Sequence, residues 1–373
     1  MKTNRYHIVA VLIALTLILV LGSCVMAPPP FDEQKWHAIV EGQDAAALYA
    51  ANRKGGVFFN PWNPMKEKAF GRVLRWGFTK KAAYTQEEKT FLPAVRPDLP
   101  RRIASLEGRD YIAWIGHASF LMRIDGTFWL TDPMLSKRAL LPARRTPPAL
   151  DMAFLAGITD PVNVVISHNH YDHLDKATIQ ALPGHARVFV PLGLGNLVRE
   201  FHDGQVREMD WWERLDVGGG IVLTCLPAQH WSRRIGQGFN TTLWASYLLE
   251  SGDVSVYYAG DSGYFAGYRE IGRRFPGIDY ALMPLTAYHP RWFMHYTHMN
   301  AEESIRAFQD LGAGVFIPTQ WGAFHLGDNP PGFPVLDLRR TLERLGLDPD
   351  PYLVMEIGEV ALLSGQTEPA TAK

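Results

Sequence analysis

The chain has 373 residues, with 37 Lys+Arg against 38 Asp+Glu and a formal net charge of −1. Hydrophobic residues make up 47% and aromatics 12%, a globular composition with room for an ordinary core and one or two domains. Near neutrality offers no basic face for wrapping nucleic acid, so no nucleic-acid partner is expected. Cys24 and Cys225 are the only cysteines, which excludes a disulfide framework and a cysteine-based metal site.

The amino terminus reads as a targeting segment. Lys2 and Arg5 precede an apolar run from Ile8 to Leu21, short for a membrane span and suited to a signal-peptide core. It ends in Leu21-Gly22-Ser23-Cys24, which resembles a bacterial lipobox. That resemblance implies that residues 1–23 are a lipoprotein-type signal peptide and that Cys24 is lipidated as the first mature residue. The other reading retains the segment as an uncleaved anchor. Either places the protein in the bacterial cell envelope, tethered to a membrane. Val25 in place of Asp gives no signal for inner-membrane retention, so the outer membrane or periplasmic face is expected.

Residues 24–105 read as a tether, Ala27-Pro28-Pro29-Pro30, followed by an extension packed on the core. The stretch from Phe31 to Asp110 is Pro- and Arg-rich with irregular periodicity, and Asn60-Pro61-Trp62-Asn63-Pro64 is a rigid turn within it. Residues 106–365 are expected to form the main domain, and 366–373 a disordered tail. From Tyr111 the pattern changes to short β runs. Tyr111–Ile115, Phe120–Ile124 and Thr127–Leu130 come first, the last two joined at Asp125-Gly126, a hairpin signal. Val162–Ile166, Arg187–Pro191, Ile221–Leu226, Leu243–Leu249, Val254–Tyr258 and Val315–Thr319 follow, and Cys225 within them reads as a buried thiol. Helices are predicted at Lys176–Leu182, Gly193–Phe201, Ala301–Leu311 and Asp337–Leu345. Hairpin strands with interspersed helices point to a layered α/β architecture with sheets inside.

The chemistry concentrates after Val162–Ile166. His168 and His170 stand two apart, so extended backbone puts both side chains on one side. Asp172 and His173 follow at once. Such a group is expensive in a core unless each member has a polar partner, and a divalent metal satisfies them together, zinc first. His230 and Asp261 likewise each follow a strand, where loops at one sheet edge converge on a common cleft.

His-x-His-x-Asp-His after an apolar strand resembles the signature of the metallo-β-lactamase superfamily. More closely, the chain resembles N-acylphosphatidylethanolamine phospholipase D and its bacterial relatives. The matching stretches, in order, are Gly116-His117-Ala118-Ser119, Leu130-Thr131-Asp132-Pro133, Ile166–Asp175, Val190-Pro191-Leu192-Gly193-Leu194, Asp210-Trp211-Trp212-Glu213, Gln229-His230-Trp231, Ala259–Tyr264 and Pro290-Arg291-Trp292-Phe293-Met294. The resemblance implies a four-layer αββα sandwich and makes residues 106–365 a metallo-hydrolase unit. It also implies two zinc ions, one held by His168, His170 and His230, the other served by Asp172 and His173, with Asp261 bridging. Asp132 would orient a liganding histidine. His298 would contact phosphate or assist the leaving group. His117 falls in a family motif, and a hydrogen-bonded structural histidine is its other reading.

One family ligand is missing. Where relatives carry a histidine before Trp-Gly-x-Phe, this chain has Gln320-Trp321-Gly322-Ala323-Phe324, and an amide oxygen is the weaker ligand. Three outcomes follow: Gln320 ligates weakly, His325 reaches in, or the second site is partly occupied. His289 also stands where relatives have an acidic residue.

The implied activity is phosphodiester hydrolysis of phospholipase D type on N-acylphosphatidylethanolamine-like lipids, with a metal-bound hydroxide as nucleophile and Asp172 and His298 as catalytic groups. Two alternatives stand beside it: hydrolysis of another ester, a lactone or a soluble phosphodiester on the same metals, and a non-catalytic metal-binding envelope protein. Trp211, Trp212, Trp231, Trp292 and Phe293 are expected as core or cleft wall, with an acyl-chain pocket as the second reading.

Overall fold

Short apolar runs punctuated by turns build two β-sheets packed face to face, with helices on the outside. The structure is a computed structural model that describes residues 26–65, 70–106 and 108–363. The expected signal peptide, Cys24 and the tail 366–373 lie outside the described residues.

The strands, in chain order, are β1 (Arg53–Lys54), β2 (Val57–Phe58), β3 (Tyr111–Gly116), β4 (Ser119–Ile124), β5 (Thr127–Thr131), β6 (Val162–Val165), β7 (Arg187–Pro191) and β8 (Gln205–Met209). They continue with β9 (Arg214–Gly218), β10 (Ile221–Leu226), β11 (Ser246–Glu250), β12 (Ser255–Tyr258), β13 (Tyr280–Pro284), β14 (Val315–Thr319) and β15 (Val360–Leu362). Of the two large sheets, one has the order β15-β3-β4-β5-β6-β7-β8 and the other β14-β13-β12-β11-β10-β9, while β1 and β2 pair as a separate two-stranded ribbon. With helices such as Ala301–Leu311 outside them, this is the four-layer αββα sandwich.

The topology collects the site. In the first sheet β3 and β5 run antiparallel to β4, and β6 runs parallel to β5. The chain therefore leaves β3, β5 and β6 at one edge, carrying His117, Asp132 and His168 respectively. In the second sheet β10 and β12 both run antiparallel to β11, while β13 and β14 follow β12 in parallel. His230, Asp261 and Gln320 thus leave at a shared edge as well.

Several local expectations hold for a visible reason. Ile124 pairs with Thr127 across Asp125-Gly126, and both turn residues have positive φ (47° and 74°), as a tight two-residue hairpin requires. Helix Ala301–Leu311 starts at a capping box of Asn300 with Glu303 and stops at Gly312 in the left-handed conformation.

Other expectations need correction. The extension is not irregular throughout: it contains helices Glu33–Glu41 and Phe70–Phe78. The helix expected from Asp337 begins at Phe333, because Pro334 falls in the first turn, where a missing N–H costs nothing. The strand expected over Leu243–Leu249 begins only at Ser246, since Leu243 and Ala245 give their backbone N–H groups to Leu192 and Ser167 in the other sheet's loops. Strand β13 and helix Gly267–Arg274 were not legible. Every β13 residue is buried between two parallel neighbours, so the strand shows no polar–apolar alternation.

The extension is stitched to the core by specific bonds. Asn60 donates to the His230 carbonyl (3.1 Å) and Trp62 Nε1 to Gln229 (3.0 Å). Arg291 pairs with Glu33 of helix Glu33–Glu41 at 2.7 Å.

Candidate metal centre

The loop after β6 brings His168, His170, Asp172 and His173 to one point. His168 Nε2 lies 2.8 Å from His170 Nδ1, and His230 Nε2 lies 3.3 Å from that same nitrogen. Asp261 Oδ2 faces His168 Nε2 at 3.8 Å and His230 Nε2 at 3.5 Å. These four residues form one candidate metal group. Beside it, His173 Nε2 is 3.4 Å from Asp172 Oδ2 and 3.4 Å from Asp261 Oδ1, so Asp261 faces both clusters.

The supporting contacts leave the inward atoms available. His168 Nδ1 meets the Ser167 hydroxyl at 2.9 Å, and His230 Nδ1 meets the Thr297 carbonyl at 3.3 Å. His173 Nδ1 is held by Asp132 Oδ2 at 2.5 Å. Asp132 itself is fully buried and also accepts from the Ser167 backbone N–H, the Ser167 hydroxyl and the Tyr258 hydroxyl. A carboxylate behind a histidine in this way fixes the ring and its tautomer.

Electrostatics favour a cation. Burial pushes His168 and His230 well below the usual imidazole range and His170 down to about 4, so all three are neutral lone-pair donors near neutral pH. Burial also works against a charged His173, but Asp261, Asp172 and Asp132 together lift it well above its ordinary value. Asp172 and Asp261, which burial alone would raise, are held well below the carboxylate range, chiefly by His173. The protonated His173 imidazole thus faces three carboxylates, those of Asp132, Asp172 and Asp261. His173 Nε2 and Asp261 Oδ1 have no hydrogen-bond partner. Neutral imidazoles, carboxylates and orphaned inward atoms are what a bound divalent ion would satisfy, so the residues fit a metal.

Gln320 is fully buried at the end of β14 with φ 72°, and its amide nitrogen donates to the Gly260 carbonyl at 3.1 Å. His325 is exposed and belongs to none of the converging groups among the described residues, which corrects the expectation that it could reach in. His117, left open by the sequence, is at the centre: its Nε2 lies 3.1 Å from Asp172 Oδ2. Its signal was the same as that of the others, a histidine just past a strand of the right direction.

His298 packs against His230 with ring centroids 5.6 Å apart and lines a cavity of about 460 Å³ together with His170, Asp172 and Asp261. Apolar residues dominate the walls, among them Met65, Val73, Trp76, Leu141, Trp231 and Phe293. The aromatic set therefore divides. Trp231 and Phe293 face the cavity, whereas Trp211 is buried near Trp62 and Trp244, and Trp212 stacks on Tyr49 to hold the extension. His289 lies apart, with its Nδ1 at 2.7 Å from the Tyr84 hydroxyl. Among the described residues, a further acidic–histidine group, Glu33, His37 and Glu303, is already occupied by the Arg291 guanidinium, which pairs with both carboxylates.

A strand-edge cluster of imidazoles and carboxylates between two sheets defines a class, and comparison with known proteins agrees. Residues 127–321 match the model of the Beta-lactamase superfamily domain. The chain belongs to the metallo-β-lactamase superfamily and is a metal-dependent hydrolase of it. An uncharacterized protein of Mycobacterium tuberculosis is 35% identical over 323 residues, covering 81% of this chain and 84% of that one. The N-acyl-phosphatidylethanolamine-hydrolyzing phospholipase D 1 of Caenorhabditis elegans is 29% identical over 269 residues, or 67% of this chain and 75% of that one. Among solved structures, the metallo hydrolase Igni18 of Ignicoccus hospitalis shares the fold with a TM-score of 0.53 and 22% identity, covering 69% of this chain and 99% of its own.

Proposed function

We propose that the protein is a phosphodiesterase of phospholipase D type acting on N-acylphosphatidylethanolamine-like lipids, with two zinc ions at the His/Asp clusters. The observation that carries this reading is the junction of those clusters with the apolar cavity, which has the character needed for acyl chains beside a phosphodiester. Kinship with the nematode phospholipase D supports it.

His168, His170, His230 and Asp261 would hold one ion, and Asp172 and His173 the other, with Asp261 between them. When bound, a divalent pair would supply positive charge to activate water and to neutralise a phosphate. The chain's own residues do the rest. Asp132 keeps the proton of His173 on Nδ1, so that Nε2 stays available. Asp172 lines the cavity, where its carboxylate can orient the attacking water. His298 lines the same cavity and delivers a proton to the leaving alcohol. Water adds to phosphorus and the P–O bond to the N-acylethanolamine breaks, leaving phosphatidic acid. Trp231 and Phe293 wall the path and keep bulk water from it.

Lipid attachment through Cys24, in the bacterial envelope, would present the cavity to a membrane substrate. The test is zinc-loaded protein with N-acylphosphatidylethanolamine in mixed micelles, products identified by mass spectrometry. Phosphatidic acid and N-acylethanolamine are expected. Turnover of lactones or soluble phosphodiesters, with the lipid left intact, would refute the lipid reading, and no turnover by stably metal-loaded protein would leave a binding protein.

A further inference from the structure

The family ligand missing at Gln320 leaves the second ion one donor short, and the structure offers a replacement from another strand. We propose that His117 Nε2 takes the place of the absent histidine and binds the second metal ion together with Asp172, His173 and Asp261.

Three observations support the assignment. The first is spacing. Ligand atoms about 2.0–2.2 Å from a tetrahedral zinc lie about 3.3–3.6 Å from one another. His117 Nε2 is 3.1 Å from Asp172 Oδ2, which is 3.4 Å from His173 Nε2, and these three residues form a metal group of their own.

The second is hydrogen-bond accounting. His117 Nδ1 faces the Gln320 carbonyl at 3.3 Å while Nε2 faces a carboxylate oxygen. A neutral imidazole has one N–H and cannot serve two acceptors. With Nδ1–H donated to the carbonyl, the Nε2 lone pair points at Asp172, and a shared cation turns that repulsion into two bonds.

The third is rigidity. The ring is fully buried and packs edge-on against Phe324 (5.0 Å, 90°), and its backbone carbonyl accepts from Gln320 N–H at 3.0 Å. Gln320 is the competitor, because its Oε1 is buried without a partner. An amide oxygen is nevertheless the weaker ligand, and this amide is already tied to Gly260 through its nitrogen.

The inference rests on the two-metal reading above, and the experiment separates the two. Metal-free protein is reconstituted with cobalt(II) and followed by metal analysis and by proton NMR in water, where each cobalt-bound imidazole shows one strongly shifted exchangeable N–H. We expect two ions per chain and such a signal from each of His168, His170, His173, His230 and His117. His117→Ala should lose one of these signals and weaken the second ion by more than the roughly 10- to 100-fold typical of an outer partner. His117→Gln keeps an amide donor toward Asp172 and should not rescue it. Gln320→Ala should keep every shifted signal. In all variants the first-site signals report an intact fold. Two ions with no His117 signal, rescue by His117→Gln, or loss of the second ion in Gln320→Ala alone overturns the assignment and leaves the two-metal reading standing. A single ion per chain at saturating cobalt overturns both.

Discussion

Replacing Asp132 by Asn should damage both the fold and the metal centre while hardly changing shape. The carboxylate is fully buried and serves four donors: the Ser167 N–H at Oδ1, and the Ser167 hydroxyl, the Tyr258 hydroxyl and His173 Nδ1 at Oδ2. An amide has one oxygen. With the oxygen toward the hydroxyls, its NH₂ meets the Ser167 N–H, donor against donor; flipped, it meets the imidazole N–H. One charge-assisted bond lost, at about 1.5–3 kcal/mol, and one buried donor left unmatched, at about 1–3 kcal/mol, give roughly 3–5 kcal/mol of lost stability. His173 would also lose the partner that holds its Nε2 inward, which weakens metal binding about 10- to 100-fold, or roughly 1.4–2.7 kcal/mol. Urea denaturation of the metal-free protein reads the first quantity, and zinc competition against a chelator reads the second. A variant within about 0.5 kcal/mol of wild type, the range of ordinary surface substitutions, and with unchanged zinc affinity would refute this account of Asp132.

Four further outcomes are expected. His230→Ala removes one of three clustered imidazoles, so zinc content and turnover should fall together; normal activity at low free zinc would exclude it as a ligand. His298→Ala should lower turnover about 100-fold if the ring is the general acid, with zinc content unchanged by metal analysis. Arg291→Ala removes the guanidinium from the fully buried Glu303, leaving it with the Asn300 N–H and His37, and frees the His298 carbonyl, 3.1 Å from the guanidinium; it should cost about 3–5 kcal/mol by denaturation and lower kcat more than it raises KM. Cys24→Ser should abolish lipid attachment, and radiolabelled fatty acid still entering the variant would contradict the lipobox reading.

Much of the centre could be read without coordinates because its densest part is local. His168, His170, Asp172 and His173 lie within one short loop after one strand, so their convergence follows from backbone geometry over a few residues. The α/β class was similarly legible from turn chemistry and from strands with clear boundaries, such as the hairpin at Asp125-Gly126. What stayed out of reach was set by strand order and sheet packing. Asp132, which the family resemblance had assigned to orienting a histidine, meets His173 in particular because β5 and β6 are neighbours, and His117 meets Asp172 because β3 ends at the same edge. Local periodicity carries no record of which strands lie side by side, so a ligand candidate and a structural histidine read alike until they do. The cavity wall is the plainest case. Met65, Val73 and Trp76 belong to an extension whose irregular pattern hid its helices, and only packing of that extension on the core places them over the metal centre.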